Sequence, residues 1–133
     1  MSQEDVDRLR AAYEAYNRRG VEAVFELIDP DFEAETAPEL SAEPDVYRGY
    51  EGIRRYFSSF EEVMEGIRFE PEEFIDASDG EHVVVFVRVH ARGKGSRFAM
   101  DEEVADVFAV RDGRISELRL YMEREKALAL VGS

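Results

Sequence analysis

The second half of the chain has the pattern of four successive strands, and this feature limits the possible folds more than any other. Each segment contains β-branched or aromatic residues, and short turns that end in glycine separate the segments. Strands joined by turns this short pair in antiparallel fashion. We therefore predict an antiparallel meander of four strands over residues 68–76, 82–92, 98–110 and 114–121.

The first half shows the three-to-four spacing of apolar residues that is typical of amphipathic helices. The spacing predicts helices over residues 3–18 and 21–28, and a third helix that begins after Gly49 and ends at Gly66. A short strand from Phe32 to Thr36 and a surface loop over 37–45 lie before the third helix, and a short helix over 123–131 follows the meander.

This order of elements predicts an α+β fold, because helices gathered in front of a sheet bury their apolar faces against it. Three N-terminal helices would pack on one strongly curved antiparallel sheet, and the open end of such a sheet leaves an internal pocket. A length of 133 residues is enough for one such core, so we predict a single domain over residues 1–133.

Charge and composition narrow the function. The net charge is −14, and a surface this acidic repels phosphate groups, so we expect neither nucleic acid nor a membrane as partner. There is no cysteine, and His82 and His90 lack ligand-spaced companions, so we expect no metal site, and nothing in the sequence indicates a cofactor. With no signal peptide and no long apolar run, we expect a cytoplasmic protein.

Four phrases, in order, resemble the SnoaL-like branch of the nuclear transport factor 2 superfamily: AYEAYNRR, LIDPDFE, YRGYEGIRRYF and VFAVRDGRISELRLYMEREKALAL. The order of helices and strands is similar over almost the whole chain. The resemblance implies a cone-shaped, cystatin-like domain, often dimeric through its sheet. In such domains the pocket serves isomerisation, epoxide hydrolysis, cyclisation, dehydration or ligand binding, so the fold alone does not name the activity.

Similarity to individual enzymes of this superfamily assigns positions in the pocket. Ketosteroid isomerases keep a proton-abstracting aspartate where this chain has Thr36, and a protonated aspartic acid that donates to an oxyanion where it has Asp106. Tyr13 lies near a tyrosine of those isomerases and is the candidate hydroxyl donor. In limonene epoxide hydrolases the two aspartates would fall on His90 and Leu120. Because threonine is no general base at neutral pH, the isomerase mechanism is not implied in full.

Three polar strand residues form the candidate catalytic group. Side chains alternate along a strand, so Arg88 and His90 share one face, and antiparallel pairing with the next strand can bring Asp106 to that face. Asp106 interrupts an apolar run and must be paired or protonated, either as a pocket acid or as a partner of Arg88, unless it faces solvent. His90 is a proton acceptor or a solvated edge residue, and Arg88 is a ligand clamp or half of a structural ion pair.

Aromatic and soft side chains supply candidate walls for the pocket, although an aromatic stripe at helical spacing is also typical of a core. Together with the positions assigned by resemblance, the predicted pocket-lining residues are Tyr13, Thr36, Tyr47, Tyr56, Phe57, Phe60, Phe108, Leu120 and Met122.

Three functions are compatible with this sequence. The first is a domain that binds a small, largely apolar molecule in its pocket. The second is a cofactor-free isomerase, cyclase or hydrolase in which Asp106 and His90 act as acid and base while Arg88 or Tyr13 steadies an oxyanion. The third is a dimeric interaction module with a filled interior. The expected partners are therefore a small apolar ligand and a second copy of the chain, bound through the sheet.

Overall fold

The computed structural model describes residues 3–35, 46–77, 81–95 and 97–130. The helical elements are α1 (Gln3–Arg19), a 3-10 helix (Val21–Leu27), α2 (Gly49–Glu61) and α3 (Arg124–Leu130). The strands are β1 (Ile28–Glu35), β2 (Val46–Arg48), β3 (Met64–Asp76), β4 (His82–Gly93), β5 (Ala99–Arg111) and β6 (Arg114–Tyr121). Thr36 and the predicted loop over 37–45 lie outside the described residues.

The predicted meander is confirmed, because β3, β4, β5 and β6 pair in succession and all three pairs are antiparallel. Four details of the first half differ from prediction. The third helix ends at Glu61 and not at Gly66, because β3 already begins at Met64, and the strand β2 was not predicted. The second helix is a 3-10 helix, and β1 begins at Ile28 and runs through Pro30. The strand tolerates this proline because the pairing of β1 with β6 shifts register between Ile28 and Glu33. Pro30 lies in this gap and is not required to donate a backbone hydrogen bond to β6.

The six strands form one open sheet in the order β2-β1-β6-β5-β4-β3. The prediction of a wholly antiparallel sheet needs one correction, since β1 and β6 pair in parallel. The chain leaves β1, passes through the rest of the sheet and returns beside β1 in the same direction. Register shifts in β3 and β5 add local bends to the sheet.

Helices cover both faces of the sheet. We call the face that packs against α1 and α2 the inner face, where Leu9 and Ile53 meet Val83 and Val85 in one buried cluster. The opposite, outer face packs against α3, where Ala127 meets Phe86 and other apolar residues of β4 and β5 in a second cluster. The strand β4 is therefore apolar on both sides over residues 83–87, all of which are fully buried.

The side chain of Asn17, near the end of α1, fixes the helix to the edge strand β3. Its amide donates to the Phe69 carbonyl oxygen at 2.7 Å, and its carbonyl oxygen accepts from the Phe69 N–H at 2.9 Å. The amide thus substitutes for a neighbouring strand and holds α1 against the sheet. Among the described residues, no helix has both the length and the apolar character that crossing a membrane would require.

Candidate functional site

A cavity of about 260 Å³ lies between the helices and the inner face of the sheet. Its wall is almost entirely apolar, with α1 and α2 on one side and β3 to β6 on the other. Phe98 lines the cavity and is 60% exposed, so the cavity reaches the surface beside the β4–β5 turn. The aromatic residues of the wall are Tyr13, Tyr16, Phe32, Tyr56, Phe57, Phe60, Phe69, Phe98 and Phe108.

Asp106 is the polar centre of this wall. It lies on β5 between Val85 of β4 and Leu120 of β6, and its side chain faces the cavity. The residue is 6% exposed and is the only buried charged residue in the described part of the chain. Tyr13 on α1 donates its hydroxyl hydrogen to Asp106 Oδ2 at 2.6 Å. A single phenol is therefore the partner that the protein provides for this carboxyl.

Burial dominates the acid–base properties of this centre. Loss of solvent raises the pKa of Asp106 from 3.8 to about 6, against the smaller lowering by the hydrogen bond from Tyr13. Burial, and then the nearby carboxylate, raise the pKa of Tyr13 and of Tyr56 well above the ordinary value. Both phenols therefore keep their protons at neutral pH, while Asp106 titrates close to neutrality.

Two polar atoms of the site lack partners in the described structure. Asp106 Oδ1 and the Tyr56 hydroxyl are both buried and make no hydrogen bond. Both residues line the cavity, and they lie close enough that the charge of Asp106 raises the Tyr56 pKa. An unpaired buried polar atom costs about 1–3 kcal/mol. The arrangement is therefore suited to a ligand that carries a polar group of its own.

Comparison with known proteins agrees with this architecture. The family model described as "SnoaL-like domain" matches residues 9–118. This chain belongs to the SnoaL-like family. The family match and the solved structures described next confirm the predicted membership of the nuclear transport factor 2-like superfamily. No curated protein matches the chain in sequence.

Solved structures show the same fold for this SnoaL-like domain. An NTF2-like protein of unknown function from Burkholderia pseudomallei K96243 superposes with a TM-score of 0.78 at 18% identity, over 100% of both chains. TerC, co-crystallised with polyporic acid, has a TM-score of 0.78 at 21% identity, over 98% of this chain and 100% of its own. A protein with a ketosteroid isomerase-like fold from Catenulispora acidiphila DSM 44928, in complex with trimethylamine, has a TM-score of 0.71 at 19% identity, over 99% of this chain and 95% of its own.

The structure places most of the predicted pocket residues of the SnoaL-like domain on the cavity wall: Tyr13, Tyr56, Phe57, Phe60, Phe108 and Leu120. Two others belong to the surrounding core. The Tyr47 ring packs edge-on against Tyr56 with centroids 5.2 Å apart, and Met122 packs against the same cluster without lining the cavity. Thr36 is outside the described residues.

The prediction that Arg88 and His90 share the face of Asp106 is wrong. The Gly93 N–H donates to the Phe98 carbonyl oxygen at 2.9 Å, which sets the register of the β4–β5 hairpin. In this register Val85 pairs with Asp106, whereas Arg88 pairs with Glu103. Arg88 and His90 therefore lie on the outer face, and a one-residue difference in register separates them from the cavity.

Arg88 and His90 have acidic neighbours on the outer face. The Arg88 guanidinium lies 3.0 Å from Asp101 and 3.6 Å from Glu72, which confirms the alternative of a structural ion pair for Arg88. His90 Nε2 lies 3.5 Å from Glu70, and His90 Nδ1 lies 3.8 Å from Asp101. Within the described ranges, no three metal-binding side chains come together.

Sequence reasoning missed Tyr56 as a polar group of the site and assigned it only to the wall. It also turned the wrong face of β4 toward the cavity. The alternation itself carried a signal for the correct face. The face with Arg88 and His90 continues with the charged Arg92, whereas the face with Val89 and Ala91 stays apolar up to the turn.

Proposed function

We propose that this domain binds a small, largely apolar molecule in the inner cavity and orients it by one polar group. The observation that carries this proposal is the pair of unpartnered buried atoms, Asp106 Oδ1 and the Tyr56 hydroxyl, in an otherwise apolar chamber. The apolar wall supplies most of the binding free energy, and the two polar atoms give the ligand one preferred orientation.

Two adjacent positions on α1 offer a matched test of this proposal. Ala12 lines the cavity, whereas its neighbour Ala11 is exposed. We expect Ala12→Phe to fill the cavity and to lower the affinity for cyclohexanone, a neutral apolar probe with one oxygen, by at least tenfold. Ala11→Phe, the same change on the solvent side of the same helix, should leave the affinity unchanged.

The measurement is a methyl NMR titration. Binding in the cavity shifts the methyl signals of Val104, Ile115 and Leu118, which line it, and leaves those of Val84 and Val107 on the outer face in place. Shifts spread over both faces, or equal affinity in the two alanine variants, would argue against the cavity as the binding site.

A second function, acid–base catalysis without a cofactor, is favoured by one observation. The Asp106 pKa of about 6 lets this carboxyl exchange protons near neutral pH, and Tyr13 holds it in place. His90 and Arg88 take no part, because they lie on the opposite face. Deuterium exchange at the carbon next to the cyclohexanone carbonyl tests it: exchange that is faster with the wild type than with Asp106→Asn supports it, and equal rates exclude it.

Self-association through the sheet stays a prediction, as do residence in the cytoplasm and the lack of nucleic-acid partners. On the outer face α3 already packs on the apolar patch around Phe86, so a second copy would meet the charged part of that face around Arg88. Light scattering at low and high salt tests this, since a contact made by charged groups weakens as salt is added.

A further inference from the structure

The charges around the cavity limit what its ligand can carry. No lysine, arginine or histidine is among the described residues of the wall, and Asp106 is its one acidic member. A ligand carboxylate would therefore meet a like charge with no cation beside it, inside a chain whose net charge is −14. Burying a charge without a partner is strongly unfavourable, so the wall selects against anions.

The aromatic rings near Asp106 favour a cation instead. Tyr13 packs edge-on against Phe108 at 5.9 Å between centroids, and Tyr56 packs edge-on against Phe57 at 5.2 Å. These rings line the chamber beside the carboxyl. Aromatic faces carry negative electrostatic potential and attract an ammonium group, especially where water is excluded.

The free atoms of the site are suited to a group that donates hydrogen bonds. Tyr13 donates to Asp106 Oδ2, which stabilises the ionised carboxylate and leaves Oδ1 as a free acceptor. The Tyr56 oxygen can also accept. A protonated amine carries donors and no acceptor, so its nitrogen suits both of these acceptors. A carbonyl oxygen can accept from the Tyr56 hydroxyl, but it offers no donor to Asp106 Oδ1, because at neutral pH this carboxyl is mostly ionised.

From these observations we infer that the cavity selects a hydrophobic amine, whose protonated nitrogen binds Asp106 Oδ1 and the Tyr56 hydroxyl while its apolar body fills the aromatic chamber. This inference rests on the proposed function and adds the chemical class of the ligand. The charged nitrogen is desolvated on entry, and the carboxylate, the phenol and the ring faces replace its water.

Binding of an amine must then depend on the ionisation of Asp106. The titratable groups that face this carboxyl are Tyr13 from α1 and Tyr56 from α2, while its neighbours on β4 and β6 are the apolar Val85 and Leu120. Because the protonated amine binds the ionised carboxylate, its affinity should be constant between about pH 7 and about pH 9, where the amine keeps its proton, and fall toward a tenfold loss per pH unit well below pH 6. A neutral ligand should show no such loss.

Three probes that share one apolar body can test the inference by calorimetric titration: cyclohexylmethylamine, cyclohexylmethanol and cyclohexanecarboxylate. At pH 7.5 we expect the amine to bind at least tenfold more tightly than the alcohol, and the carboxylate not to bind. Asp106→Asn should remove the advantage of the amine over the alcohol. Asp101→Asn, which neutralises an exposed carboxylate on the outer face, is the matched control and should change neither affinity.

The outcomes separate this inference from the proposed function. If the alcohol binds as tightly as the amine at pH 7.5, the inference is overturned and the binding function stands. If none of the three probes binds, both fall. Should Asp106→Asn not fold, the wild type decides, because an amine affinity that is unchanged from pH 7.5 to pH 5 also overturns the inference.

Discussion

The two faces of the central strands β4 and β5 handle polar groups in opposite ways. On the outer face the charged side chains of Arg88, Arg124 and Glu103 have ion-pair partners within this chain. On the inner face Asp106 has one phenol as partner and keeps one oxygen free. A polar group with partners in its own chain stabilises the structure, whereas one left unpaired beside a cavity is available to a ligand.

The packing of the two faces can be compared by truncating one phenylalanine on each. Phe86 on the outer face is fully buried beneath α3 and the Arg124 guanidinium, whereas Phe108 on the inner face borders the cavity. We expect Phe86→Ala to lower the free energy of unfolding by about 4 kcal/mol and Phe108→Ala by about 2 kcal/mol, because a side chain beside a void loses fewer contacts. Urea unfolding measures both, and equal losses would mean that the inner face is as tightly packed as the outer one.

The next effect concerns the buried carboxyl in the unliganded protein. Burial raises the Asp106 pKa to about 6, so the folded chain holds this proton to higher pH than the unfolded chain does. The contribution of Asp106 to stability is thus full below its unfolded pKa and is lost as the pH rises through about 6. We expect Asp106→Asn to raise the free energy of unfolding by about 2–3 kcal/mol at pH 7.5 and to change it little at pH 3.5. Urea unfolding at the two pH values measures this difference, and equal stability of both proteins at pH 7.5 would contradict it.

The smallest effect has the opposite sign and belongs to the outer face. The hydrogen bond from Arg124 lowers the pKa of Glu103, so the stability from this pair is present at neutral pH and is lost as the pH falls. We expect Glu103→Gln to destabilise the protein slightly at pH 7.5 and not at acid pH, because the pair is partly exposed and screened by salt. Thermal unfolding at both pH values measures it, and destabilisation at acid pH alone would refute it.

The sequence predicts the fold well because its signals are local. The bounds of β6 are predicted at both ends, since glycine and a change of pattern mark them, and α1 is predicted to within one residue at its end. The strand β2 was missed because three residues carry no periodicity. The parallel pairing of β1 with β6 was missed because it joins segments far apart in sequence.

The site was predicted in part, and the error has one physical source. Asp106 and Tyr13 could be named because a carboxyl in an apolar run needs a partner, and the structure joins them by a hydrogen bond. Arg88 and His90 were placed on the wrong face because β4 is apolar on both sides over residues 83–87. In such a strand the alternation does not distinguish the two faces, and the register of a single hairpin decides.

The Asn17 amide that caps Phe69 also bears on aggregation, because it covers part of the edge of the sheet. β3 is the last strand of an open sheet, and an exposed edge of this kind can template the addition of foreign strands and so seed fibrils. Here Asn17 occupies both backbone groups of Phe69, and Pro71 beside a register shift offers no N–H. One short polar side chain thereby hinders the β3 edge from pairing with a strand of another molecule.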